Sequence, residues 1–290
     1  MKQKSGKTWD IFIGLFCLCI MLICLLPMLN ILARSLSSPQ ALINRLVTFL
    51  PVQLTMESYR YVFLDAAFSR SMIWTGILTV IYTLLSLCMT TLCAFPLIYA
   101  KLKGRKIINT YIIFTMYFSA GTIPNYILMK DLHLLGNPLV LILPACLSVF
   151  NMIILKSFFF NIPESLRESA EIDGANPFTV LFHIYLPLSG PVLATLALFY
   201  AVSRWNGFSD ALLYLTQTPE YHPIQLKLYN IINNLSSIEI IANEGASGIP
   251  AVSDGIKAAA VMFATAPILV VYPWLQRYFI AGVTIGAVKG

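Results

Sequence analysis

Few residues in this sequence have the types and spacing that catalysis or metal binding needs. The three histidines, His133, His183 and His222, have no metal-ligand spacing and no paired nucleophile. The glycine-rich loop Gly-x-x-x-x-Gly-Lys-Ser/Thr, whose backbone cradles nucleotide phosphates, does not occur in the 290 residues. We therefore expect no catalytic residue, no metal site and no cofactor bound by this chain, which also should not bind ATP itself.

The cysteines likewise do not indicate a metal site. All six fall within apolar runs and lack Cys-x-x-Cys or Cys/His spacing: Cys17, Cys19, Cys24, Cys88, Cys93 and Cys146. Because a free cysteine behaves as a small hydrophobic side chain, we expect buried thiols rather than a disulfide framework.

The most charged stretch, residues 161–178, has strong helix signals. Asn161 is a good N-cap, and Glu164 three residues later completes a capping-box pattern. Gly174 suits the left-handed position that ends a helix, and Asn176 followed by Pro177 starts another. The pattern predicts a short helix, a turn and a second helix.

The first of these helices is predicted to carry an acidic stripe. Glu164, Glu168 and Glu171 follow i, i+4, i+7 spacing. Another face carries Leu166, Ala170 and Asp173. The acidic stripe suits a helix that enters a cleft on a partner, but a solvated loop with good caps would show the same residue pattern.

The elements around this stretch have the composition of a membrane protein. The chain is 58% hydrophobic and 11% charged, with a mean hydropathy of +0.77, whereas soluble domains carry roughly 25% charged residues. Several apolar stretches are long enough to cross a hydrocarbon layer about 30 Å thick. We expect an all-α integral membrane protein that forms a single domain over residues 1–290, with a core at about 67–280.

Six transmembrane helices are predicted: Ile11–Ala33, Ser71–Ala100, Ile107–Met129, Pro138–Phe160, Ser189–Asn206 and Gly255–Ile280. The first is too long for a signal-peptide core and is interpreted as a retained anchor. Prolines within the spans are typical of kinked helices around a pathway, or simply of membrane helices in general.

Charge in the loops sets the predicted orientation. Three lysines precede the first span, and residues 101–106 hold four positive charges and no acid, which places both on the cytoplasmic side, together with both termini. This distribution accounts for the net charge of +6 without a nucleic acid partner. Residues 35–70, where Thr55 could cap a short helix, and the acidic segment 207–254 then lie outside. We interpret the latter as a long docking or substrate-facing loop.

The run from Glu168 to Ala175 (Glu-Ser-Ala-Glu-Ile-Asp-Gly-Ala), followed by Ile184-Tyr-Leu-Pro187 and Pro191, resembles the EAA motif of ABC-importer permeases. The form of the motif is similar to that of the carbohydrate-uptake, maltose-type subfamily. Three further segments resemble that subfamily: Leu54–Tyr59, Trp205-Asn-Gly-Phe208 and the ending Gly282–Gly290. The sequence departs from the motif at Ser169, a small-for-small exchange, and at Glu171, which adds an acid.

The resemblance implies that residues 161–187, between spans four and five, form a cytoplasmic coupling loop whose helix seats in an ATPase groove. Its implied contact residues are Glu164, Glu168, Ala170, Glu171, Asp173, Gly174 and Lys289. Glu168 would pair with a basic residue of the groove. The implied partners are a second permease, a cytoplasmic ATPase dimer that uses ATP and Mg, an extracytoplasmic solute-binding protein, membrane lipid, and a sugar or oligosaccharide. The implied location is the bacterial plasma membrane.

Candidates for the sugar pathway are Tyr126, Asn151, Arg204, Trp205 and Asn206, since sugars stack on aromatic rings and hydrogen-bond to amides. Ordinary packing or interfacial anchoring is the favoured explanation for each, because aromatic belts are common in membrane proteins. Arg204 could attract an acidic sugar such as a uronide, or mark the membrane interface. Two other functions stay open: an ABC permease for a non-carbohydrate solute, and an ion-coupled secondary transporter, which the lack of mid-span acids disfavours.

Overall fold

The structure is a computed structural model that describes the backbone of residues 7–243 and 250–287 and the side chains of residues 9, 11–234 and 254–273. Every regular element in the described ranges is helical. The α-helices are α1 (Lys7–Ser35), α2 (Pro39–Ile43), α3 (Glu57–Leu64), α4 (Ala66–Ala94), α5 (Arg105–Tyr117), α6 (Thr122–Asp131), α7 (Val149–Phe160), α8 (Glu164–Ile172), α9 (Pro177–Val180), α10 (Leu186–Leu188), α11 (Gly190–Asn206), α12 (Ser209–Tyr214), α13 (Ile224–Asn243) and α14 (Pro250–Ala287). Short 3₁₀ turns occupy Pro96–Ile98, Pro138–Leu141, Leu143–Ala145 and Pro219–Tyr221, and a π-helical turn occupies Leu181–Tyr185.

Within the described ranges, three helical segments are apolar and long enough to cross a membrane: Ile11–Ser35, Ala66–Ile98 and Asp254–Pro273. Three further pairs of helices pass the same test only when each pair is joined across a bend. The bends measure 115° between α5 and α6, 46° before α7, and 83° before α11. The third and fourth predicted spans are therefore not continuous helices, whereas the fifth, Ser189–Asn206, is the continuous helix α11, and its bend lies at its start. Gly121, with φ +90°, lies in the sharpest break, a conformation that other residues rarely adopt.

Many apolar side chains point outward, as expected if lipid or partner subunits cover them. No part of the most apolar window of α1 is buried within the chain. The expected burial of the cysteines is wrong in the same way, because Cys17, Cys19, Cys24 and Cys88 are exposed and the other two are half-buried. These thiols lie on helix faces whose apolar cover would come from hydrocarbon or a neighbouring chain, not from the chain's own core.

The chain divides into two compact units. The first comprises Met1–Ser69 and Lys227–Pro267. Within it, Arg34 forms an ion pair with Asp254, and the rings of Phe63 and Phe263 meet edge to face at 4.9 Å. These contacts join α3 and the end of α1 to α14.

The second unit comprises Arg70–Leu226 and Ile268–Gly290 and contains two buried clusters. One cluster lies around Phe95, Phe159 and Tyr185, beside α8. The other lies around Tyr82, Tyr200 and Leu215.

The segment 207–254 is not the long loop that its polarity predicted. It contains α12, a 3₁₀ turn and the 20-residue helix α13. At the other predicted outer segment, Thr55 is not the N-cap of α3: that position is Met56, without a side-chain bond, and the Thr55 Oγ1 accepts the Glu57 N–H at 3.2 Å from one residue before it.

Candidate functional site

The charged segment begins differently from its predicted form. α8 starts at Glu164 after Pro163, and no side chain caps it. Asn161 instead closes α7, because its N–H donates to the Phe158 carbonyl at 2.9 Å. The capping-box prediction is wrong because the apolar helix runs as far as Phe160 and holds Asn161 in a helical conformation, whereas an N-cap needs an extended one.

The end of α8 follows its predicted form. Gly174 adopts φ +84°. The N–H of Ala175 donates to the Ala170 carbonyl at 2.9 Å, and that of Gly174 donates to the Glu171 carbonyl at 3.1 Å. This pair of bonds is a Schellman cap. Asn176 then caps α9, since its Oδ1 accepts the Thr179 N–H at 2.8 Å.

Arg167 lies on the side of α8 that packs against the rest of the second unit. It pairs with Glu164 one turn before it, and its Nε lies 3.5 Å from a Glu171 oxygen one turn after it. Its guanidinium carbon lies 4.7 Å from the ring centroid of Tyr99, a cation–π distance. The side chain of Arg167 is only 12% exposed. The sequence analysis missed this residue, although its i−3 and i+4 spacing to two acids is a readable signal.

The opposite side of α8 faces outward. Glu168 is exposed and forms no ion pair among the described residues. Ile172, one turn later, is 86% exposed. Of the predicted acidic stripe, Glu164 and Glu171 are thus held by Arg167, while Glu168 and Ile172 form an outward stripe, named here the α8 outer stripe. Asp173 is also exposed, whereas Ala170 packs against the buried cluster.

An aromatic cluster connects α8 with three other elements. Tyr99 meets Phe95 at 5.4 Å, Phe95 meets Tyr185 at 5.3 Å, and Tyr185 meets Phe159 at 5.3 Å, all edge to face. The cluster packs α8 indirectly against the end of α4, α7 and the π-helical turn.

Arg204, a predicted pathway residue, is buried in an internal network. Its side chain is 4% exposed, with two contacts to Asp210 at 2.5 and 3.0 Å. It also donates to the Leu141 carbonyl at 2.9 Å and to the Gly207 carbonyl at 3.2 Å. Tyr82 lies 5.9 Å from the guanidinium. The guanidinium is thereby directed at the protein's own acceptors.

Gly207 makes room for this network. A Cβ at that position would lie 2.8 Å from Nη2 of Arg204 and 3.3 Å from the Ser203 carbonyl. The backbone of Gly207 is extended (φ −74°), a conformation that other residues also adopt. Glycine is therefore needed here because a side chain has no room, not because of the backbone angle. This gives a packing reason for the glycine of the Trp205–Phe208 segment.

The other predicted pathway residues do not converge on one place. Asn151 is buried in α7, Trp205 is half-buried, and the Nδ2 of Asn206 donates to the Val202 carbonyl at 2.9 Å. Tyr126 lines a cavity that none of the other four reaches. Lys289, a predicted ATPase contact, lies outside the described residues.

Comparison with known proteins gives full-length matches. The family described as "Binding-protein-dependent transport system inner membrane component" matches residues 66–285. The polygalacturonan/rhamnogalacturonan transport system permease protein YtcP of Bacillus subtilis is 39% identical over 99% of this chain and 100% of its own length. Protein LplC of the same organism is 40% identical over 99% of this chain and 97% of its own.

A solved structure matches the fold at similar coverage. It is a chain from the crystal structure of a bacterial ABC transporter involved in the import of the acidic polysaccharide alginate. The TM-score is 0.85 and the identity 30%, over 96% of this chain and 99% of that one.

Proposed function

This chain belongs to the binding-protein-dependent transport system inner membrane components, and from that membership we propose that it is the permease subunit of an ABC importer for acidic oligosaccharides. The observation that carries the substrate class is the full-length similarity to a polygalacturonan/rhamnogalacturonan permease. The alginate importer points the same way. Galacturonans and alginate share one chemical feature, a carboxylate on uronic acid residues.

The proposed complex contains a second permease, a cytoplasmic ATPase dimer that hydrolyses ATP with Mg, and an extracytoplasmic binding protein that delivers the sugar. This chain contributes a transmembrane pathway and no ATPase site. It acts as one permease domain in the bacterial plasma membrane. Family membership sets aside the ion-coupled transporter considered from sequence.

The proposed topology has six spans, each bent pair being counted as one. Residues 101–106 and α8 lie on the cytoplasmic side, together with both termini. This arrangement is supported by the basic character of 101–106. It is also supported by Arg167 and Tyr99, which bring the end of α4 next to α8.

The proposed coupling element is α8. The α8 outer stripe (Glu168 and Ile172) offers an acid and a large apolar side chain one turn apart, which suits a groove with a basic residue and an apolar floor. Arg167 and Ala170 hold the helix on the permease, and the turn at Gly174 ends it. Movement of the ATPase would then pass through the aromatic cluster into α4, α7 and the bent segment before α11, as rigid elements.

The test is uptake into proteoliposomes that contain the whole complex and its binding protein. When the binding protein carries trigalacturonate, ATP should drive accumulation of this sugar in the proteoliposomes. The neutral galactotriose should be taken up much less. Equal uptake of both sugars would disprove the acidic class. Uptake that needs no ATP would disprove the importer.

A further inference from the structure

A polar cavity of about 650 Å³ lies in the second unit, away from α8. α7 runs from the cavity side toward α8, and α11 runs from the α8 side back to the cavity side. The cavity is lined by Tyr126, His133 and residues 135–138, which precede α7, and by Tyr214, residues 216–218 and Tyr221, which follow α11. The 17 residues of α11 extend about 25 Å along the helix axis.

The lining has the chemistry of a sugar site. It includes three tyrosines, two side-chain amides, two threonines and a histidine, and no acid is among the lining residues. The rings of Tyr126 and Tyr214 are nearly parallel, 6.0 Å apart, and Tyr126 is 39% exposed. Aromatic faces with a few polar groups around them are typical of small-ligand sites, whose volumes run from roughly 300 to 1,000 Å³.

The packing around the cavity holds these groups in place. The Gly136 N–H donates to the Tyr214 carbonyl at 2.9 Å, which joins the two lining segments. Trp74 Nε1 donates to the Tyr221 carbonyl at 2.8 Å. Leu215, between them, is fully buried. A site built on fixed rings loses little conformational entropy when a ligand binds.

One side-chain amide of the lining offers a donor to a ligand. Asn137 uses its Oδ1 to accept the Leu139 N–H at 2.9 Å, which leaves its Nδ2 as a donor for a ligand hydroxyl or carboxylate. The Oγ1 of Thr218 is buried without a hydrogen-bond partner in the described structure, so it does not face the open cavity.

We infer that this cavity, between Tyr126, Asn137, Tyr214 and Gln217, is a binding subsite of the permease itself for the acidic oligosaccharide on its extracytoplasmic side. The inference rests on the proposed function and its topology. The tyrosine faces would carry the sugar rings, the amides would donate to hydroxyls and carboxylates, and the lack of lining acids would avoid repulsion.

The test is a titration of the whole permease–ATPase complex in nanodiscs with trigalacturonate, without binding protein, by calorimetry. Tyr126→Ala should weaken binding about fivefold through loss of the aromatic face. Gln217→Glu should weaken it about tenfold because of charge repulsion, and Gln217→Met only about threefold. For neutral galactotriose, Glu and Met at position 217 should act alike. Tyr111→Ala, an exposed tyrosine on α5 outside the cavity, should change nothing.

The inference fails if the wild-type complex binds no trigalacturonate without binding protein, or if Tyr126→Ala and Gln217→Glu bind it as tightly as wild type. If these variants instead weaken association with the binding protein, loaded and empty alike, the cavity is a protein-docking surface and the inference is wrong. Failure of the proposed function is separate, since it would appear as no ATP-driven uptake of trigalacturonate by the wild-type complex with its binding protein.

Discussion

The guanidinium of Arg167 lies over the ring of Tyr99, 4.7 Å from its centroid, while its two flanking acids, Glu164 and Glu171, hold it from either side. Tyr99 follows α4 and Arg167 lies in α8, so the contact joins segments that are 68 residues apart in sequence. In the proposed complex this contact carries force from the ATPase to the permease.

Removal of the Arg167–Tyr99 contact should uncouple ATP hydrolysis from transport. Arg167→Ala and Tyr99→Leu should each lower sugar-stimulated ATPase activity, with basal activity retained. In a double-mutant cycle read by thermal unfolding of the complex, the two residues should show a coupling energy of about 1 kcal/mol. Ser165→Ala, on the exposed side of α8, is the matched control. Additive effects of the two changes would show that the contact contributes nothing.

Gly174 should accept asparagine better than alanine. Its φ of +84° is rare for side-chain-bearing residues, so Gly174→Ala should cost about 1–2 kcal/mol, and Gly174→Asn less. No atom lies within 4 Å of a Cβ built there, so any loss arises from the backbone. Thermal melts of the two variants test this order. Equal stability of the alanine variant and wild type would exclude a strained turn.

Gly207→Ala should destabilise the protein through a clash with Arg204. The added methyl would lie 2.8 Å from the guanidinium, and overpacking of this kind costs about 1–3 kcal/mol. Gly190→Ala is the control, because no atom lies within 4 Å of that position. A melting temperature lowered only by Gly207→Ala confirms the packing argument, and an unchanged one contradicts it.

Substitution of Arg204 should lower the stability of the protein more than its affinity for sugar. Arg204→Met leaves the Asp210 carboxylate, which is 30% exposed, without its ion-pair partner, and loss of this partly buried pair should cost about 1–3 kcal/mol. Arg204→Met with Asp210→Leu removes both charges and should recover much of that loss. Thermal unfolding and the apparent affinity for sugar should be measured together. A fall in sugar affinity without loss of stability would restore Arg204 to the pathway.

Local signals in the sequence predicted local structure well. Gly174 and Asn176 were placed correctly because a left-handed cap and an N-cap depend on a few neighbouring residues. Asn161 was misplaced because the competing signal was the preceding apolar helix, which extends to it. Helix α13 was missed because the segment was judged by its polarity and turn residues, although apolar residues recur along it.

The candidate sites depended on contacts that sequence patterns do not contain. Arg204 was a candidate for substrate contact, yet it bonds to the Leu141 carbonyl, 63 residues away. Likewise, the acidic stripe is divided because Arg167, which pairs with Glu164 and Glu171 but not with Glu168, packs on Tyr99. That residue lies outside the motif. The breaks within the third and fourth predicted spans do not alter their mean hydropathy, so hydropathy alone could not reveal them.

The measurement that tests the account most directly is the sugar-stimulated ATPase activity of the whole complex with Glu168→Lys in this chain. Because the α8 outer stripe is proposed to meet a basic groove, charge reversal should lower stimulation at least about tenfold. Ser165→Lys, which adds the same cation at an exposed position of α8 but removes no acid, should lower it far less. Full stimulation with Glu168→Lys would contradict coupling through this helix.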